Sequence, residues 1–309
     1  MITVGEAWRR IADALPDYGS ENIAVEEATG RVLRRPVCAE RDQPPFDRVM
    51  MDGIALRHTG ARRLRVGATQ HAGDPPLAVA DGECVEIMTG AVLPRGADTV
   101  VPVERIRTSD GHAELEEGYE PEPGQFIHRR GSDHGAGSRL LDAGTLLGAP
   151  EVAVLASQGL ATVAVGRRPA VAVVSTGNEL VAAGATVAPH EIRQSNGPAI
   201  LASLLQHGHA GSRHLHLRDE PAVMRRRLGA LLDEFPVLLL SGGVSKGKAD
   251  YVPGIMAELG VEVAFHRVSQ RPGKPMWFGT RGETLVFALP GNPVSALVCF
   301  RRYVLPALL

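Results

Sequence analysis

Apolar positions 4, 8, 11, 12 and 15 share one face at helical spacing, and Thr3-x-x-Glu6 reads as a capping box, so residues 3–15 are predicted as a helix. A second short helix is expected over 20–27, ending at Gly30. Between 46 and 135 the pattern changes to short β-like pieces at 64–68, 83–88, 98–102, 113–115 and 125–128, separated by Gly, Pro and Asp. Helical and strand-like runs return over 144–165, so the β piece reads as an insertion into a larger frame. After Arg167-Arg168-Pro169, apolar strands at 170–174, 213–217, 237–240 and 261–265 alternate with helices at 198–206, 221–233 and 251–259. A hairpin, 276–279 with 284–288, then leads into a helix over 293–308. Strands separated by helical segments of this length imply βαβ units around a mostly parallel sheet. The expected fold is therefore α/β multidomain. It has a doubly wound domain at 169–309, an inserted small β domain at 46–135, and an α/β frame made of 1–45 and 136–168.

Composition narrows the function. The chain has 309 residues, 44% hydrophobic and 22% charged, with a formal net charge of −2 and 4% aromatics. Clustered cations or stacking aromatics for a polyanion are lacking, which excludes nucleic acid as the expected partner. Cys38, Cys84 and Cys299 are odd in number and in no metal-binding spacing, and read as reduced thiols. Glu6, Arg9, Arg10 and Asp13 break any apolar leader, and no apolar run approaches the ~18 residues of a membrane span. A cytoplasmic protein with no membrane partner is expected.

The chemistry should lie at the carboxyl ends of the parallel strands, where open α/β sheets place their ligands. Three such ends carry Gly/Ser/Pro loops: Ser175-Thr176-Gly177-Asn178-Glu179, Ser241-Gly242-Gly243-Val244-Ser245, and Pro290-Gly291-Asn292-Pro293-Val294-Ser295. Backbone N–H groups in such turns, backed by helix N-termini, suit a phosphate or oxyanion. Gly242 to Lys248 even fits the G-x-x-x-x-G-K part of a P-loop. Ala249 stands where a hydroxyl should meet magnesium, which argues against an ordinary ATPase. Glu179, Asp219 and Asp250 each follow a predicted strand and raise the expectation of a Mg²⁺ site. Lys274, in Arg271-Pro272-Gly273-Lys274-Pro275, offers positive charge on a stiff loop. The histidines at 207, 209, 214 and 216 are expected to be solvated residues rather than metal ligands. In the β domain, Met51-Asp52-Gly53, Met88-Thr89-Gly90-Ala91 and Gly131-Ser132-Asp133 are each ambiguous alone, Asp-Gly being a turn signal.

Taken in order, these motifs, together with Pro94-x-Gly96-Ala97-Asp98, resemble the molybdopterin molybdenumtransferase family, which includes bacterial MoeA and the E domain of gephyrin. The resemblance runs through essentially the whole chain. It implies a molybdopterin-binding type of doubly wound domain and a Mg²⁺-dependent reaction in which molybdate displaces AMP from adenylylated molybdopterin. It also implies a homodimer whose cleft joins the doubly wound domain of one subunit to the β domain of the other. Its partners extend to other cofactor-biosynthesis proteins and apo-molybdoenzymes. Family matches at functional positions are Asp52, Thr89, Asp133, Glu179, Asp219, Asp250, Lys274, Pro290 and Pro293. With the loop chemistry they make a candidate set. Asp52, Thr89, Asp133, Glu179, Asp219 and Asp250 are assigned to catalysis, the last three holding Mg²⁺. Ser175, Thr176, Gly177, Ser241, Gly242, Gly243, Ser245, Arg271, Lys274, Pro290, Gly291, Asn292, Pro293 and Ser295 are assigned to substrate.

The departures from the family pattern are specific. Arg48-Val49-Met50 replaces the usual Asn-Ser-Ala, Arg271 stands for a common Lys, and Lys246 replaces an apolar residue. Relatives continue into a C-terminal β barrel beyond the position of Leu309. These departures favour a second reading beside the transferase, a carrier of molybdopterin or its cofactor on the same fold; a third, adenylyl transfer to molybdopterin by the last domain, arises because related domains in the pathway share this fold.

Overall fold

The structure is a computed structural model that describes residues 1–243 and 251–309. The chain forms two compact units, one of residues 1–21 and 166–309, the other of residues 22–165. In the first unit a six-stranded sheet runs in the order Arg213–Leu217, Val171–Thr176, Val237–Ser241, Thr284–Leu289, Trp277–Arg281, Glu262–His266. The first four strands are parallel, and the hairpin strand Trp277–Arg281 is antiparallel to both of its neighbours. The central strands are apolar on both faces because both faces are covered. Val171, Val173, Val237, Leu239 and Phe287 pack under the helices Val4–Ala12, Asn196–Gln206 and Pro293–Cys299. Ala172, Val174, Leu238, Leu240 and Val286 pack under Pro221–Glu234 and Val252–Glu258.

Local rules account for the ends of these elements. Thr3 caps the first helix by accepting the Glu6 N–H at 3.2 Å, while the Glu6 carboxylate takes the Arg10 guanidinium at 2.6 Å. The helix predicted over 293–308 is one helical run with a π turn at Phe300–Val304, where the Leu305 N–H reaches back to the Phe300 carbonyl. That turn falls just ahead of Pro306, which has no N–H for the α-helical ladder.

The second unit is built on a six-stranded sheet ordered Thr99–Pro102, Gly53–Leu56, Glu83–Ile87, Arg63–Gln70, His112–Leu115, Ile106–Ser109. Every pairing is antiparallel except that of Arg63–Gln70 with Glu83–Ile87. Gly53–Leu56, next to the edge strand Thr99–Pro102 and wholly buried, is not among the strands expected from the sequence. Its Asp-Gly start reads as a turn, but Gly53 has φ +153°, and a Cβ there would collide with the Val101 carbonyl. The glycine admits the neighbouring strand. The helix expected over 20–27 is also corrected. Ser20–Ala24 is a strand and Val25–Glu27 a 3-10 turn, anchored where the Val25 N–H bonds the Ala161 carbonyl at 3.1 Å. The β-branched Ile23 and Val25 gain more from that long-range pairing than from a local helix.

Candidate active site

The carboxyl ends of the parallel strands open into a cavity of about 520 Å³ within the first unit. The strand Val171–Thr176 delivers Ser175, Thr176, Gly177 and Glu179 to its wall. Val237–Ser241 delivers Ser241, Gly242 and Gly243, and Thr284–Leu289 delivers Pro290, Gly291, Asn292, Pro293 and Ser295. Asp219, after the edge strand Arg213–Leu217, completes this sequence-derived set. Ser245 and Asp250, like Lys246, lie outside the described residues.

Three glycines are required by geometry. Gly177 has φ +144°, and Gly242 φ +103°, both in the region that favours glycine. A Cβ on Gly242 would stand 2.8 Å from the Thr176 carbonyl, so the second loop crosses directly over the end of the first strand. A Cβ on Gly197 would collide with the His214 imidazole.

Polar contacts hold these loops in register. Asn292 accepts the Ser295 N–H at 3.2 Å and so caps the helix Pro293–Cys299. Asn178 accepts the Asp219 N–H at 3.1 Å, which joins the first loop to the turn carrying that carboxylate. Asn196, at the start of the helix Asn196–Gln206, donates from Nδ2 to Ser241 Oγ and to the Gly291 carbonyl, both at 2.9 Å. One amide thus ties the second loop to the third. Asn196 Oδ1 and Thr176 Oγ1 are buried without a hydrogen-bond partner among the described residues. Because buried polar atoms are nearly always paired, such atoms on a cavity wall suit a bound polar group.

Asn196 lies just before the helix predicted over 198–206, and nothing local to it reveals a bridge to residues 45 and 95 positions away. Asn196→Ala is expected to cost about 1–3 kcal/mol, the loss of one partly buried and one exposed hydrogen bond. Thermal unfolding of the variant measures this, and an unchanged midpoint would deny the amide its bridging role.

The histidines differ from expectation. His214 and His216 are half-buried rather than solvated. His216 Nε2 donates to the Gly177 carbonyl at 2.8 Å, and His214 Nε2 lies 2.9 Å from Ser175 Oγ. Burial, aided by the neighbouring His216, pushes His214 below the ordinary imidazole range.

Arg271 and Lys274 are exposed and absent from the cavity wall, to which their loop contributes Pro275. That loop rests on a polar knot. Gln270 Nε2 donates to the Gly273 carbonyl and to Cys299 Sγ, each at 3.3 Å, and Tyr303 donates to Gln270 Oε1 at 2.5 Å. Burial raises the Cys299 thiol to about 11, so it stays protonated.

The chain matches two family models: the MoeA N-terminal region (domain I and II) over residues 2–159, and a probable molybdopterin binding domain over residues 172–309. The molybdopterin molybdenumtransferase of Synechocystis sp. is 39% identical over 99% of this chain and 80% of its own length. That of Bacillus subtilis is 31% identical over 99% of this chain and 74% of its own length. This chain belongs to the molybdopterin molybdenumtransferase family. The molybdopterin biosynthesis MoeA protein of Pyrococcus horikoshii OT3 shares its fold, with a TM-score of 0.81 at 28% identity over 100% of this chain and 78% of that one.

The remaining residues that match the transferase pattern sit in the second unit. Asp52 Oδ1 accepts both the N–H and the hydroxyl of Thr89, each at 2.6 Å. The hydroxyl first, then the N–H, holds the Asp52 carboxyl below the ordinary carboxylate range. Thr89→Val is therefore expected to move the Asp52 carboxyl upward toward its ordinary range, as NMR titration of the carboxyl carbon would show. An unmoved titration would mean the hydroxyl is not what favours the carboxylate.

Asp133 accepts from His128 Nε2 at 2.9 Å, and His128 Nδ1 accepts from Arg48 Nη2 at 3.0 Å. Arg48 can only donate, so it fixes the neutral His128 tautomer as the one that donates to Asp133. The arginine that departs from the transferase pattern is thus built into a chain of contacts ending on Asp133. Asp52 keeps its polar partners despite the change at 48–50.

Proposed function

We propose that this protein is a molybdopterin molybdenumtransferase that inserts molybdate into adenylylated molybdopterin with release of AMP, in a Mg²⁺-dependent step. Likeness over 99% of this chain to enzymes named for that activity supports the reading. The observation that carries it is the pairing of Glu179 and Asp219 with three Gly/Ser/Pro loops around one cavity. A carrier would need the loops alone, so the carboxylates favour the enzyme over that alternative.

The residues present fit a magnesium ion. Mg²⁺ commonly takes one or two protein carboxylates and completes its shell with water and phosphate oxygens. Among the described residues no cluster of three ligating side chains occurs. Glu179 and Asp219 would hold the ion, with Asp250 as the third carboxylate of the assignment. Bound there, it would neutralise charge developing on the departing AMP.

The chain's own groups do the rest. The Ser241–Gly243 turn and the Pro290–Ser295 loop would orient the pterin and its phosphate. Thr176 and Asn196 would offer their buried unpaired oxygens to the substrate's polar edge, and Asn178 would keep Asp219 in place. Arg193, on the cavity wall, would add positive charge for an anionic substrate, with Arg271 and Lys274 outside that wall. The reading includes a homodimer in which a second copy supplies Asp52, Thr89 and Asp133. No helix among the described residues is long and apolar enough to cross a membrane.

The test combines purified protein, adenylylated molybdopterin, molybdate and Mg²⁺, and follows AMP release and activation of an apo-molybdoenzyme. Molybdate-dependent AMP release is expected. Tight pterin binding without turnover would replace the transferase with a carrier.

A further inference from the structure

The two histidines on the edge strand Arg213–Leu217 have no part in the reading above, yet both touch the first loop of the cavity from behind. His214 pairs in register with Val173 and reaches Ser175 Oγ, whose residue is 2% exposed. The contact has been given room: Gly197, the second residue of the helix Asn196–Gln206, lacks the Cβ that would strike the imidazole. His216 anchors the same loop through the Gly177 carbonyl, an acceptor only, so its Nε2 carries a proton.

The contact at Ser175 is of another kind, because a hydroxyl can give or take. If His214 Nε2 presents its lone pair, Ser175 spends its proton on the imidazole and offers the cavity only lone pairs. If His214 Nε2 carries a proton, Ser175 accepts that bond and its own O–H is free to donate into the cavity. An anion needs the second arrangement. We propose that His214 is a positioning residue which sets the direction of the Ser175 hydroxyl and thereby tunes the cavity for a phosphate-like anion.

This inference rests on the cavity being the substrate site, and names the part that receives the anionic group. His216 is the titratable group facing His214. The strand Val171–Thr176 and the helix Asn196–Gln206, which pack on it, contain no titratable side chain. On its own strand, Arg213 is held by Glu234 at 3.1 Å. Burial keeps His214 neutral at neutral pH, where the two tautomers compete. Protonation leaves only the donor arrangement, so anion affinity should rise as pH falls.

The experiment uses inorganic sulfate, which stays a dianion from pH 5 to 8, titrated calorimetrically into the full chain. Sulfate affinity of the unmodified protein is expected to rise as pH falls below the ordinary imidazole range, reaching on the order of tenfold once His214 is protonated, the scale of one hydrogen bond to a charged group. His214→Gln, whose amide can donate or accept but does not titrate, should flatten the profile. His214→Leu removes both the acceptor and the donor, so its sulfate affinity should no longer change with pH. Absence of sulfate binding, or a His214→Leu variant with the unmodified affinity and profile, would overturn the proposal. The transferase assay is read separately. Pyrophosphate-linked AMP release failing while the sulfate pattern holds would remove the transferase and leave the anion subsite. The converse result would remove only the role of His214.

Discussion

The double variant Glu179→Gln, Asp219→Asn is expected to lose Mg²⁺-dependent AMP release by about 10²-fold or more, while its thermal midpoint stays put. The rate loss follows if the two carboxylates hold the ion beside the leaving phosphate, since a metal's stabilisation of developing charge amounts to several kcal/mol and each tenfold in rate to about 1.36 kcal/mol. The fold should tolerate the change. Glu179 is exposed and Asp219 half-buried on a cavity wall, and amides of nearly the same shape remove two negative charges from one pocket. Turnover measured against magnesium concentration gives the answer. A variant within tenfold of the unmodified rate at saturating Mg²⁺ would show that the carboxylates do not carry the ion.

Phe287→Ala is expected to destabilise the first unit by about 3–5 kcal/mol, a large share of the stability of an ordinary domain. Phe287 is fully buried in the strand Thr284–Leu289, and its ring centroid lies 4.8 Å from that of Phe278, which lies 5.7 Å from Phe265. Truncation would leave a cavity in an aromatic stack that joins three strands, with rigid backbone on either side. The same strand ends in the Pro290 loop, so ligand affinity should fall together with stability. Urea unfolding followed by near-UV dichroism should show an earlier transition for this unit. Phe287→Leu, which keeps most of the volume, should lose about 1.5 kcal/mol or less. Equal costs for the two variants would mean the stack can collapse around the missing ring.

The sequence alone went far where the signal is local. A buried parallel strand announces itself as four or five apolar residues in a row, and the turn that ends it as Gly, Ser or Pro. The runs leading to Ser175, Ser241 and Pro290 therefore mark three loops that line the cavity. Gly53 shows where that logic stops: Asp-Gly is locally a turn, and only the Val101 carbonyl beside it makes the glycine the start of a buried strand. Residues 20–27 fail in the same way, because the partner of Val25 is 136 positions along the chain.

Charge was legible, but its direction was not. Lys274 and Arg271 were visible as cations and Glu179 and Asp219 as anions, yet of these four only the acidic pair lines the cavity, where the cation among the described residues is Arg193. Asn196, His214 and His216 carried no usable signal, because each acts across a contact made by strand order or helix packing. The α/β architecture, the loops at the strand ends and the family are legible in the chain alone, since periodicity, turn chemistry and motif order are properties of neighbouring residues. The tertiary structure alone decided which side chains meet: the amide that ties two loops together and the imidazole set against a cavity hydroxyl. Those contacts depend on the sheet order 213–217, 171–176, 237–241, 284–289, which no local preference encodes.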